Sequence, residues 1–290
     1  MSSRPFDAPR APDVTIDPAR ALERLRVRLC YLWRHRRLPD LRDPTSFTEL
    51  VQHRKLHDRD PRMPALADKL RVKALVADLL GPEWITPTLW SGTALPVDAP
   101  WPRPFVLKSR HGCRQVRVVR AGDDWAAVRA EAAGWTRRPY GVWLDEWLYR
   151  HIPRGYLVEA FAGPGPALPV DYKLFAFGGR VLYHSVHLDR ALGGPGRHRQ
   201  IVMDRDWRRV AGDPGDPDPL PPPSLARMVA GAEALAAPFD FVRVDLYDLA
   251  GGPRFGEMTF YPGSGLDRFD PQWLDQAMGA DWLRARALTF

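Results

Sequence analysis

Apolar residues recur along this chain with two different periods, and the change of period divides it. Leu22, Leu25, Leu29 and Leu32 follow one another at three- and four-residue intervals, the spacing of one helix face. Asp17-Pro18 starts that helix, with proline at its first position. Its leucine face is expected to pack on its own domain. Ser46 is followed three residues later by Glu49, a capping box that opens a helix to Leu56. A further helical stretch runs from Asp68 to Leu80 and closes on Gly81-Pro82. After Trp84 the period shortens. Phe105 to Lys108 reads as a buried strand, Ser109 to Cys113 as a loop, and Val116, Val118 and Val119 as the next strand. Asp123 or Asp124 caps a helix to Gly134. Tyr156 to Glu159 is a strand ending on an acid, and Gly163 to Pro166 is a turn. Asp171 to Phe177, Gly178-Gly179 and Arg180 to Leu188 form a hairpin closed by Asp189-Arg190. The glycine-rich, basic segment to His198 has the composition of a mobile loop facing phosphate or of plain surface. Asp213 to Pro223 is a proline-rich connection. Ser224 caps a helix with Leu225, Met228, Ala232 and Leu235 inward, and Pro271 to Arg284 is a last helix with Trp273 and Trp282 packed.

The richest alternation lies between Phe239 and Gly265. Val242, Val244 and Leu246 alternate with Arg243, Asp245 and Tyr247. Gly251 and Gly252 supply a turn, Pro253 fits only at an edge, and a return strand runs from Phe255 to Phe260. Pairing about Gly251 sets Asp245 opposite Glu257 and Arg243 opposite Thr259, all on one face, with Val244 and Met258 in the core. Opposed carboxylates repel. A hard divalent cation with oxygen ligands resolves that repulsion, and Mg²⁺ usually brings substrate phosphates with it. A solvated face with Arg243 neutralising one acid resolves it too, and spacing alone does not separate the two readings.

Composition narrows the partners. A chain of 290 residues can bury one large core or two small ones, and its polarity is that of a soluble globular protein. No apolar run approaches the roughly 20 residues that span a bilayer, and the N-terminus lacks a leader-type apolar segment. Met1 to Asp17 is polar with three prolines and reads as a loose tail. Cys30 and Cys113 imply no disulfide framework, so a cytoplasmic, reducing setting is expected. The net charge of +7 suits an anionic partner, whether nucleotide phosphates, nucleic acid or an acidic glycan. Seven arginines lie between Arg20 and Arg37, mostly off the leucine face. Such a helix can sit on membranes or nucleic acid, although packing on its own domain is the expectation here. Arginine supplies 37 of the 42 basic residues, so the five lysines (Lys55, Lys69, Lys73, Lys108 and Lys173) are not background. Lys108 ends a strand beside a loop with backbone N–H groups, an arrangement that can hold phosphate or simply snorkel. His111 has no second His or Cys at metal spacing and reads as a loop hydrogen-bonder. No Ser/His/Asp or Cys/His arrangement offers a covalent nucleophile, and no RRM, KH or helix-turn-helix signature supports nucleic-acid binding.

The order of these pieces resembles the ATP-grasp superfamily, and more narrowly its teichuronopeptide-biosynthesis (TupA-like) branch. The resembling segments are SFTELVQHRKLHDRDP, LADKLRVKALVADLLG, FVLKSRHGC, VDYKLFAFGGRV, FDFVRVDLYD and FGEMTFYPGSG, spread from about Leu38 to Gly279. The resemblance implies an α+β ATP-grasp fold, with two α+β subdomains enclosing ATP and an N-terminal helical extension. Its expected divisions are a tail to residue 17, a helical region 18–100, a small subdomain 101–158 and a large subdomain 159–290. It implies that Lys108 contacts the α-phosphate and adenine side of ATP, and that His111 and Gly112 close over the phosphates. Glu159 would meet the adenine amino group beside the Ala160 and Phe161 backbone, with Asp171 at the ribose and Lys173 in the phosphate channel. Asp245 and Glu257 match magnesium ligands, with Arg243 and Arg190 on the transferred phosphoryl group. Thr259 stands where the wider superfamily has Asn, as expected in the narrower branch, which bears on whether a second Mg²⁺ binds. The implied reaction is ATP-dependent carboxylate–amine ligation through an acylphosphate. An amino acid or other amine would be joined to a uronate-bearing glycan, acidic peptide or small carboxylate. The alternatives are an ATP-grasp kinase and, in another class, a non-catalytic basic nucleic-acid-binding protein.

Overall fold

The computed structural model describes residues 18–163, 167–189 and 199–289. The expected tail, most of the turn from Gly163 to Pro166, and the segment from Arg190 to His198 lie outside them. Seven helices are described: α1 (Pro18–His35), α2 (Phe47–His57), α3 (Arg62–Ala67), α4 (Val72–Leu80), α5 (Trp125–Ala132), α6 (Leu225–Ala236) and α7 (Trp273–Thr289). The capping box forms as expected, with the Ser46 hydroxyl accepting from the Glu49 N–H and the Glu49 carboxylate accepting from the Ser46 N–H. The helix expected over Asp68–Leu80 is instead broken at its start. Asp68 ends α3 and accepts the N–H groups of Leu70 and Arg71, a local bond that competes with helix. α4 therefore begins only at Val72.

Among the described residues, ten strands build two antiparallel sheets. The small sheet has the order β1 (Thr88–Gly92), β4 (Tyr156–Ala160), β2 (Phe105–Ser109), β3 (Val116–Val119). The large one runs β10 (Gly252–Thr259), β9 (Phe241–Leu249), β5 (Asp171–Phe177), β6 (Arg180–Leu188), β7 (Arg199–Asp204), β8 (Arg209–Ala211). The fold is thus α+β with two sheets. β1 comes from within the segment 18–100, which otherwise supplies helices. Pro253 lies on an edge strand, where its missing N–H breaks no ladder. The β9–β10 register puts Asp245 opposite Glu257 and Arg243 opposite Thr259. Near the turn, however, the ladder is displaced by one, because Gly256 forms a bulge between Phe255 and Glu257. A Cβ on Gly256 would stand 3.0 Å from the Asp245 carbonyl oxygen, so glycine keeps that strand close.

Each sheet has its own core. Phe105, Leu107, Val119 and Val158 of the small sheet pack with Trp125 and Val128 of α5. The large sheet shares one core with α2, α3, α4, α6 and α7, including Leu50, Val76, Met228, Val244 and Trp282. The Phe47 ring of α2 sits 5.0 Å from Phe241 and 5.5 Å from Trp282. α7 comes against the start of α2 so closely that a Cβ on Gly279 would lie 2.1 Å from the Thr45 carbonyl oxygen. Gly279→Ala is expected to cost about 1–3 kcal/mol, read as a lowered melting temperature, because backbone rather than side chain must yield.

Two packing expectations fail. Trp273 is exposed while Trp282 is fully buried. The leucine face of α1 also points outward, and the helix is instead buried against the domain through Val27 and Tyr31.

Candidate active site

One face of the large sheet gathers charge across three strands. The β5–β9 register sets Lys173 opposite Asp245, and Asp171 stands two residues away on the same face. Lys173 Nζ donates to Asp171 Oδ2 at 2.7 Å and to Asp245 Oδ2 at 2.6 Å. Arg243 grips Asp245 with two bonds, Nε to Oδ1 at 2.6 Å and Nη2 to Oδ2 at 2.8 Å. The same Nη2 lies 3.3 Å from Glu257 Oε1 and 3.1 Å from Thr259 Oγ1. The Thr259 hydroxyl donates to Glu257 Oε1 at 3.1 Å. Burial pushes the Asp245 carboxyl up, but Arg243 and Lys173 outweigh it and bring its pKa down to about 2. Burial opposes the charge on Lys173, yet Asp245 and Asp171 hold its pKa above the ordinary value. Asp245, Lys173 and Arg243 are therefore charged at neutral pH.

The small sheet presents a second charged group. Lys108 on β2 and Glu159 on β4 are diagonal neighbours across the ladder. Lys108 Nζ lies 2.6 Å from Glu159 Oε2, and Lys73 of α4 pairs with Oε1. Glu159 is buried, which raises its pKa, but the two lysines bring it below the ordinary value. Tyr247 and Glu257 of the large sheet act on Lys108 as well, so the two sheets' charged faces are close. The segment between α3 and α4 ties the sheets together. Asp68 accepts a two-pronged bond from Arg110 at 2.6 to 2.9 Å. Lys69 Nζ donates to the Gly112 carbonyl at 2.6 Å and stands 4.0 Å from Glu257 Oε2.

The structure thus brings together Lys173, Asp171, Arg243, Asp245, Glu257 and Thr259, and separately Lys108 and Glu159. His111 is buried, with Nε2 3.1 Å from the Trp135 carbonyl oxygen, and Gly112 N–H donates to Ser109 Oγ at 3.1 Å. The Ala160 N–H is given to the Pro87 carbonyl at 3.0 Å, while Phe161 follows directly after β4. Arg190 lies outside the described residues. Sequence reasoning missed Lys69 and Lys73, although the scarcity of lysine was the signal that could have found them. Four of the five lysines meet in this region. The fifth, Lys55, is buried elsewhere, donating to Ser264 O and Oγ at 3.1 Å each.

The oxygen set suits a hard cation. Among the described residues no three His, Cys, Asp or Glu side chains form a metal-holding group. Two carboxylates and the Thr259 hydroxyl nevertheless converge on one positive nitrogen, Arg243 Nη2, all within 3.3 Å. Mg²⁺ commonly takes one or two protein carboxylates and completes its shell with water and phosphate oxygens. The residues therefore fit that ion, provided the guanidinium moves from among the acids towards the phosphate.

A family model described as TupA-like ATPgrasp matches residues 49–283. No curated protein matches the chain. Among solved structures, similar ones include D-alanine–D-alanine ligase from Bacillus anthracis complexed with ATP, at 15% identity and TM-score 0.45, covering 78% of this chain and 64% of that one. L-amino acid ligase from Bacillus licheniformis is 16% identical at TM-score 0.41, covering 76% and 44%. The ATP-grasp ligase PsnB complexed with minimal precursor, Mg and ADP is 12% identical at TM-score 0.38, covering 81% and 66%. The chain thus spans less than two thirds of the first two proteins' length.

Proposed function

This chain belongs to the TupA-like ATP-grasp family, and from that premise we propose that it is an ATP-dependent carboxylate–amine ligase. The observation that carries this reading is the gathering of Lys69, Lys73, Lys108, Lys173 and Arg243 with four carboxylates between two sheets. Lysine offers phosphate a compact point charge, and here the lysines are preset by partners that ATP can displace. Lys108 takes the α-phosphate side and Lys173 the β,γ side. Glu159 and the backbone of Ala160 and Phe161 border the adenine, and Asp171 the ribose. Asp245, Glu257 and Thr259 would hold Mg²⁺, which supplies charge neutralisation across the β- and γ-phosphates.

In the proposed first step a substrate carboxylate oxygen bonds the γ-phosphorus and the bond to the β-phosphate oxygen breaks, releasing ADP. An amine then attacks the acyl carbon, phosphate leaves, and the amine nitrogen loses its proton. Arg243 and Lys173 stabilise the phosphoryl oxygens through both steps. For the amine, the candidate place is a cavity of about 300 Å³ lined by Gln115, Trp135, Arg138, Tyr140, Trp143 and Glu146. Family membership further suggests an amino acid as amine and a uronate-bearing glycan or acidic peptide as acceptor.

The test is ADP and phosphate release with Mg²⁺ and ATP against a panel of amino acids and uronic acids, with products weighed by mass spectrometry. A ligase gives ADP, free phosphate and an amide when both substrates are present. Phosphate retained on the product would make the protein a kinase and overturn the amide-bond reading.

A further inference from the structure

α1 has two apolar faces, and the domain uses the smaller one. Val27 and Tyr31 are buried against the body of the protein. That seat is secured by side-chain bonds along the helix. Tyr31 OH is 3.0 Å from Thr48 Oγ1 and accepts from Arg37 Nη2 at 2.8 Å. Arg26 Nε donates to Asp145 Oδ2 at 3.0 Å, and Arg34 Nε to the Leu266 carbonyl at 3.0 Å. The helix is therefore held in one rotation about its axis.

The opposite side carries the larger stripe. Leu22, Leu25 and Leu29 are 53%, 52% and 54% exposed, Trp33 is 69% exposed, and Leu32 and the following Leu38 are exposed too. At 3.6 residues per turn, Leu22, Leu25, Leu29, Leu32 and Trp33 share about 100° of arc. Arg24 and Arg28 are exposed along one flank of that arc, and Arg36 is exposed just beyond its end. Between Arg20 and Arg37 the chain has seven arginines and one acid, Glu23, which is itself only half-buried beside Arg150.

We propose that this outward stripe of α1 lies in the interface of an anionic lipid bilayer, with its leucines and Trp33 among the acyl chains and its arginines at the headgroups. An apolar stripe of this width with a basic flank has the pattern of a helix lying in the membrane plane. Charge and hydrophobicity together select this occupant over others. Nucleic-acid phosphates would engage the arginines but leave five large apolar side chains in water. A second copy seated on the same stripe would bring two arginine-rich helices together with like charges facing. Lipid meets both features at once. Because α1 also holds the turn at Gly265 and Leu266 through His35 and Arg34, docking would set that end of the large sheet at the membrane surface. The proposal does not depend on the catalytic reading, since it is tested without turnover.

The experiment is co-sedimentation of the full chain with phosphatidylcholine vesicles and with vesicles containing a third phosphatidylglycerol. The wild type is expected to partition at least about tenfold more strongly onto the anionic vesicles, since each arginine near such a surface contributes about fivefold. That preference should weaken with salt. Leu25→Glu with Leu29→Glu should reduce binding at least about tenfold with an unchanged melting temperature, because both positions are already solvent-facing. Arg24→Glu with Arg28→Glu should remove the preference for anionic over neutral vesicles. Equal binding to both vesicle types, or undiminished binding by the leucine variant, would overturn the proposal. So would a dimer in light scattering that the leucine changes dissolve, which would assign the stripe to a second copy.

Discussion

Glu257→Gln is expected to lower ATP turnover by about 10²–10³-fold with little change in melting temperature. Asp245→Asn is expected to lose turnover to at least the same extent and stability as well. The difference follows from burial. The Glu257 side chain is 30% exposed, and its contacts are one hydroxyl, one shared guanidinium nitrogen and a lysine at 4.0 Å. Neutralising it removes a charge from the edge of the cluster. The Asp245 side chain is 3% exposed and binds Arg243 twice and Lys173 once. Its loss leaves two buried cations short of a partner, a change that costs about 3–5 kcal/mol in comparable sites. Asp171 still holds Lys173, which places the expected cost towards the lower end. Parallel assays of ADP release and thermal unfolding separate the two effects. Wild-type turnover in Glu257→Gln would remove the metal-ligand assignment. A pH–rate profile should show no inflection from Asp245 between about pH 4 and 9, because its carboxyl titrates near 2.

Arg54→Met is expected to be the most destabilising change away from the site, by about 3–5 kcal/mol, or on the order of 10 °C in melting temperature. Arg54 is fully buried. It donates to the Phe241 carbonyl at 2.8 Å, pairs with Asp240, and lies 4.4 Å from the centre of the Trp282 ring. Asp240 also accepts from Trp282 Nε1 at 2.8 Å and Arg286 Nε at 3.0 Å. One guanidinium therefore joins α2, the start of β9 and α7. Without it, the Asp240 carboxylate retains only part of its compensation. The acid limb of stability should change in step. Burial pushes the Asp240 carboxyl up, but Arg54, Trp282 and Arg286 together bring it below its ordinary value. Its contribution is then fully present above the unfolded value of about 4, and is lost as pH falls through the lower folded value. In Arg54→Met that acid-sensitive part shrinks, and denaturant titrations at several pH values would show it. An unchanged midpoint would mean that the aromatic cluster alone holds these elements together.

Much of the fold was legible because its signals are local. The Ser46–Glu49 box needs only four residues to form, and the alternation in Val242–Tyr247 assigns faces wherever the strand ends up. The pairing of Asp245 with Glu257 was readable because the hairpin closes within a few residues. Even so, the bulge at Gly256 was not readable: the displaced ladder near the turn and the expected ladder at the acids meet at that one glycine. β7 and β8 were missed because their short apolar runs are flanked by charges and lack a strong alternation. α1 shows the limit of pattern reading. Periodicity identified its leucine stripe correctly, yet the protein docks the helix through Val27 and Tyr31 instead.

By itself, the sequence determined which residues share a face, where the capping box opens α2, that lysine is rare, and which family pattern the motifs follow. Those are properties of neighbouring residues and of composition. Only the tertiary structure decided that Lys69 and Lys73 join Lys108 and Lys173 around the acids, that two lysines hold Glu159, and that α1 turns its leucines outward. These outcomes depend on how two sheets and their covering helices pack. A hydrophobic pattern shows that a surface is apolar, but its partner is chosen by shape and charge across segments far apart in the chain.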